Sequence, residues 1–145
     1  MEHYNPLLGP VVSLVGWSIF MMLWMVATRL PAIRKAGIDL SKKPGGRGSA
    51  LDGVLPDQTQ WKAHNYNHLM ENPTIFYAIT LALVAMDDRF QINLALAWGY
   101  VVLRVLHSLW QATVNTIPVR LGLFILSNVC LLGLTIHASA RLIHG

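Results

Sequence analysis

The sequence predicts an all-α integral membrane protein, a four-transmembrane-helix bundle with no separate soluble domain. Three observations carry that expectation. Of the 145 residues, 54% are hydrophobic and only 12% are charged, and the charges are bunched rather than spread. Leu7 to Ala27 contains no charged residue; rising about 1.5 Å per residue, it exceeds the roughly 20 residues needed to cross a hydrocarbon core of about 30 Å. Further apolar stretches begin at Pro73, Ile92 and Pro118, separated by short polar turns.

The first helix is expected over residues 7–30, with Pro10 near its start, where a missing N–H is tolerated, and with a stop before Pro31. It reads as a retained membrane helix rather than a signal peptide. Glu2 stands where basic residues would, and the stretch runs past Trp24 without a small-residue cleavage site. Residues 31–60 read as an irregular loop, because Pro44, Gly45, Gly46, Gly48, Gly53 and Pro56 lie among its charges. Arg29, Arg34, Lys35, Lys42, Lys43, Arg47 and Lys62 all fall between the first two apolar stretches. Such a bias is a topology signal and not a nucleic-acid patch; it places this loop in the cytoplasm and both termini outside.

The second helix is expected over 61–86, polar in its first half and apolar from Pro73 onward; the proline removes one backbone bond and frees the Leu69 carbonyl. Asp87, Asp88 and Arg89 then form a tight turn, and the third helix spans 92–114. After Asn115 and Thr116 the fourth helix spans 118–142, with Pro118 in its first turn. His137 near its outer end reads as a packing or interfacial residue. Cys130 stands alone in an apolar stretch, which excludes an intrachain disulfide. No repeat, low-complexity run, lipidation motif or metal site is expected.

Ionisable residues inside membrane helices are costly and normally face a bundle interior or a wet cavity. At 100° per residue, His64, His68 and Glu71 share one face of the second helix, and Arg104, His107 and Gln111 share one face of the third. Depth matches the two stripes level by level. Counted from the inner surface, Glu71 and Arg104 lie ~15 Å deep, His68 and His107 ~10 Å, and His64 and Gln111 ~5 Å. The expectation is a Glu71 to Arg104 ion pair above a hydrated pocket that opens toward the cytoplasm.

With these residues in view, the chain resembles the membrane-associated proteins in eicosanoid and glutathione metabolism, the MAPEG family. The resemblance rests on the run His64-Asn65-Tyr66-Asn67-His68-Leu69-Met70-Glu71-Asn72-Pro73-Thr74-Ile75-Phe76-Tyr77, on Arg104-Val105-Leu106-His107, and on Pro118-Val119-Arg120. It implies a homotrimer of four-helix subunits that binds glutathione between neighbours near the cytoplasmic face. It further implies that Asn65, His68, Glu71, Arg104 and His107 hold the cofactor, joined by Gln111 on the third-helix stripe, while Arg120 stabilises the thiolate. Three positions depart from the family pattern: His68 stands where an asparagine is common, Phe124 where an aromatic hydroxyl is often found, and Leu121 where some members offer a serine.

Two function classes follow. One is a glutathione-dependent transferase or peroxidase acting on hydrophobic electrophiles or lipid hydroperoxides that arrive laterally from the bilayer. The other is a non-catalytic trimeric lipid-binding or scaffold protein of the same fold. Nucleic acid is not an expected partner, and the charged residues are too few to trace a channel across the outer half.

Overall fold

The computed structural model describes residues 4–42 and 46–144. Glu2, Lys43, Pro44 and Gly45 of the sequence reading lie outside the described residues. Five α-helices form an up-down bundle: α1 Leu8–Lys35, α2 Asp57–Glu71, α3 Pro73–Ala85, α4 Gln91–Thr113 and α5 Ile117–His144. Short 3-10 turns at Leu40–Lys42 and Gly48–Leu51 interrupt the first loop. α1, α4 and α5 are each long and apolar enough to cross a membrane. α2 and α3 run in series in the position expected for the second helix; α2 is polar and α3, though apolar, is only 13 residues long. The protein is thus an all-α bundle of multi-pass membrane character.

Helix boundaries differ from the sequence expectation at two places. α1 continues through Pro31 to Lys35, because its end is set by a cap beyond the proline. Gly37 has φ +66, the Ile38 N–H reaches the Ile33 carbonyl at 3.3 Å and the Gly37 N–H reaches that of Arg34 at 3.1 Å. That is the left-handed glycine termination that satisfies the last carbonyls. The second crossing starts at Asp57 rather than residue 61, with the Thr59 and Gln60 N–H groups bonded to the Pro56 carbonyl and Asp57 answering the positive end of the helix. It is then divided at Pro73, which opens α3 where its absent N–H costs nothing. Asn72 keeps helical angles (φ −76, ψ −42), so the chain direction carries through.

The interior is built around α4, whose inward face carries Asn93, Ala97, Tyr100, Val101, Arg104, Ser108 and Gln111 at helical spacing. Tyr100 stacks on Phe76 of α3, with ring centroids 4.3 Å apart and planes 8° from parallel. Leu14, Leu83 and Leu134 complete this apolar half from three other helices. α4 and α5 pack most extensively, and small residues allow it: Gly99 lies against the Cys130 sulfur and Gly133 against Leu96. Ile19 and Phe20 of α1 and Val129 and Leu132 of α5 are at least half exposed, so the outer surface is apolar, as lipid requires.

One end of the bundle is tied by Asp88, which is only 2% exposed. Its carboxylate accepts from Arg141 Nη1 at 2.7 Å and from Asn93 Nδ2 at 2.8 Å, and its carbonyl accepts from Asn5 Nδ2 at 2.9 Å. Three chain segments therefore converge on one residue of a turn. Its neighbour Asp87 is largely exposed and bonds only Arg89 locally. At the opposite end Lys62 Nζ donates to the Ala112 carbonyl at 3.3 Å, and Arg29 donates to the Gly48 carbonyl, fastening the loop to α1.

Breaking a buried pair leaves its remaining partners unsatisfied. Asp88→Ala is expected to lower unfolding stability by about 3 kcal/mol, whereas Asp87→Asn, which tolerates the φ of 49 at that position, leaves the melting temperature in mild detergent almost unchanged. Equal shifts for the two would show that Asp88 does not tie the helices.

Candidate functional site

Toward the loop end, the inward stripe of α4 turns from apolar to polar. Arg104 is fully buried at 0% exposure. Its Nε donates to the Tyr100 hydroxyl at 3.2 Å, and its guanidinium carbon lies 5.5 Å from the ring centroids of both Tyr100 and Phe124. Nη1 and Nη2 have no hydrogen-bond partner among the described residues. A buried cation without an anion is costly, since its desolvation is repaid only by close charge and hydrogen bonding. Contact with aromatic faces recovers part of that cost.

One helical turn further, His107 is buried and stacks on His68 of α2, with centroids 5.0 Å apart and planes 24° from parallel. Phe124 of α5 closes over both imidazoles, 5.7 Å from His68 and 6.4 Å from His107. These three rings, together with Ile117, Arg120 and Leu121, line an open cavity of about 200 Å³. Arg120 is steered by the α4 to α5 turn: its Nη1 donates to Asn115 Oδ1 at 2.8 Å, and Asn115 sits at φ 58, a conformation asparagine tolerates. Asn65 is fully buried with both amide atoms unpaired, and Gln111 Oε1 and Ser108 Oγ are likewise without partners among the described residues. Buried polar groups are nearly always hydrogen-bonded, so these atoms call for polar partners, water included, beyond the described residues.

Of the expected residues, His68, His107 and Arg120 line one cavity and Arg104 packs on its Phe124 wall, while Asn65 and Gln111 are buried on α2 and α4 without a place in its lining. The level-by-level match places His68 on His107. It does not hold for the outer pairs. Glu71 is exposed on the last turn of α2 and forms no ion pair with Arg104, because the azimuth of α2 that buries Asn65 and Leu69 turns Glu71 outward. His64 bonds the loop residue Asp52 at 3.1 Å instead of facing Gln111. Tyr100 and Ser108 were not singled out from the sequence, although each lies four residues from Arg104 on the same helical face. His137 does more than pack, since its Nδ1 lies 2.5 Å from Asn93 Oδ1. Among the described residues, no three of the His, Cys, Asp and Glu side chains come together to hold a metal ion.

A family model with the description MAPEG family matches residues 7–140. Neither a curated protein nor a solved structure matches the chain.

Replacing a poorly compensated buried ion by an apolar side chain of similar volume is commonly neutral or stabilising. Arg104→Met is therefore expected to melt no lower than the parent protein when no ligand is added, in contrast to Phe76→Ala, which opens a cavity and costs about 3 kcal/mol or more. A loss on the scale of Phe76→Ala would show that the guanidinium already has an anionic partner.

Proposed function

The chain belongs to the MAPEG family, and on that premise we propose that it is a membrane-bound glutathione-dependent transferase or peroxidase acting on hydrophobic electrophiles or lipid hydroperoxides. The observation that carries this reading is Arg104, a fully buried cation with two unpaired nitrogens beside a cavity. Such a group suits a carboxylate-bearing peptide. The unpaired amide of Asn65 and the free Oε1 of Gln111 supply further donors and acceptors. Residues of this kind fit glutathione, which provides a thiol whose thiolate is the nucleophile.

Arg120 has the role of holding negative charge on that sulfur. It lies in the first turn of α5, where the backbone's partial positive charge adds to its own, and Asn115 fixes its direction. Phe124 and Leu121 beside it cannot donate a hydrogen bond, so charge and not a hydroxyl favours the thiolate. His68 and His107 form the wall against which the peptide lies. The electrophile approaches from lipid along the apolar flank of α5.

A cavity of about 200 Å³ is smaller than the roughly 300 Å³ at which ligand pockets usually begin. A carboxylate exposed partway along a membrane crossing, as Glu71 is, also needs a polar neighbour. Both features support a homotrimer in which a second subunit completes the site and meets Glu71. The basic first loop would then lie on the cytoplasmic side, with the site opening there.

The alternative, a non-catalytic lipid-binding or scaffold protein, is favoured by Phe124. Its ring already covers both imidazoles and one face of Arg104, so these contacts can hold helices together without a cofactor.

Equilibrium binding of glutathione to detergent-purified protein, followed by turnover of an aryl halide, separates the two readings. Saturable binding with turnover is expected; no binding at millimolar concentration selects the scaffold. Arg120→Leu should abolish the thiolate absorbance of bound glutathione and reduce turnover by roughly 100-fold, the scale of losing one preorganised electrostatic group. Normal turnover in that variant removes Arg120 from the mechanism. Mass measurement in mild detergent is expected to give three chains, and an active monomer would overturn the shared site.

A further inference from the structure

A larger cavity lies at the other end of the bundle, between the start of α4 and the end of α5. It encloses about 470 Å³, within the range of small-molecule sites, and its lining includes Phe90, Ile92, Asn93, His137, Arg141 and His144. Its floor is the buried Asp88 carboxylate. That charge is answered by Arg141, Asn93 and the Phe90 N–H, so the cavity offers a ligand a largely apolar lining with the spare N–H donors of Arg141 at one side.

The hydrogen-bond chain fixes the polarity of the wall. Asn93 Nδ2 donates to Asp88, which turns the amide oxygen toward His137, and His137 must then carry its proton on Nδ1. In the neutral ring Nε2 is then the acceptor. Arg141 uses two contacts, to Asp88 and to the Met86 carbonyl, and keeps further N–H donors on a side chain that is 43% exposed. The first turn of α4 adds partial positive charge to the cavity wall. Phe90 and Ile92, at least half exposed, give the rim an apolar side.

We infer that this cavity binds the head group of an anionic phospholipid, with its phosphate on Arg141 and a head-group hydroxyl on His137 Nε2, and the acyl chains along the exposed apolar faces of α4 and α5. The depth agrees, because the cavity sits at the ends of two membrane crossings, where head groups lie. The site is separate from the one around Arg104 and does not depend on glutathione use.

The test is native mass spectrometry of the full chain taken from nanodiscs holding equal phosphatidylglycerol and phosphatidylcholine. The expected result is a roughly fivefold preference for phosphatidylglycerol, the scale of one basic contact at a lipid surface. Arg141→Gln should remove it. Because that change also unpairs Asp88, Ala140→Trp serves as a second variant: Ala140 is an exposed lining residue outside the hydrogen-bond chain, and the indole should fill the cavity and abolish the preference in a folded protein. The double change Lys42→Gln with Arg47→Gln in the basic loop should leave it intact. A preference that survives Ala140→Trp, or that is lost with the loop variant, overturns the site. Displacement of the lipid by millimolar inorganic phosphate would show that a soluble anion is the occupant instead.

Discussion

Holding a guanidinium at 0% exposure inside a bundle with an apolar outer surface constrains everything around it. Arg104 cannot reach water through lipid, so its neighbours must be aromatic faces, hydrogen-bond acceptors or the approach to a cavity. Tyr100 and Phe124 supply the faces, the Tyr100 hydroxyl takes one N–H, and the cavity lies one helical turn below. The stack of His68 on His107 follows from the same requirement, because these rings fill the layer between the cation and the loop end with side chains that are polar at the edge and apolar at the face.

The two ends of the bundle solve the problem of buried charge in opposite ways. Around Asp88 nearly every partner is present: a guanidinium, an amide, a backbone N–H and, through Asn93, an imidazole. That end joins α4 and α5 to the turn between α3 and α4 and to the start of α1, and it is well satisfied internally. Around Arg104 the amide of Asn65, two guanidinium nitrogens and Gln111 Oε1 lack partners among the described residues. The first end is thus satisfied largely from within the chain, whereas the second keeps buried polar groups whose partners are not among the described residues.

Between these ends the packing uses small residues and one aromatic stack. Gly99 and Gly133 let α4 and α5 approach closely, and Phe76 on Tyr100 fixes α3 against α4 directly above Arg104. The aromatic pair thus also sets where the Tyr100 hydroxyl can meet the guanidinium. The division at Pro73 separates the polar half of the crossing, which serves the site, from the apolar half, which serves this packing.

The order of the helices, three of them long and apolar enough to cross a membrane, and the shared level of His68 and His107 could be read from the sequence, because hydropathy and the rise per residue are local properties of a helix. Depth alone was enough to bring His68 to His107. It could not say which azimuth α2 presents, since that is chosen by burying Asn65 and Leu69 against the other helices, and this choice sends Glu71 outward and leaves Arg104 without it. Pro31 read as a stop because a missing N–H weakens a helix, yet the capping bonds after Gly37 decided the end. The joining of Asp88, Asn93, His137 and Arg141 was beyond any local pattern. Their hydrogen bonds span as many as 53 positions, and only the packing of α5 along α4 determines which side chains face one another there.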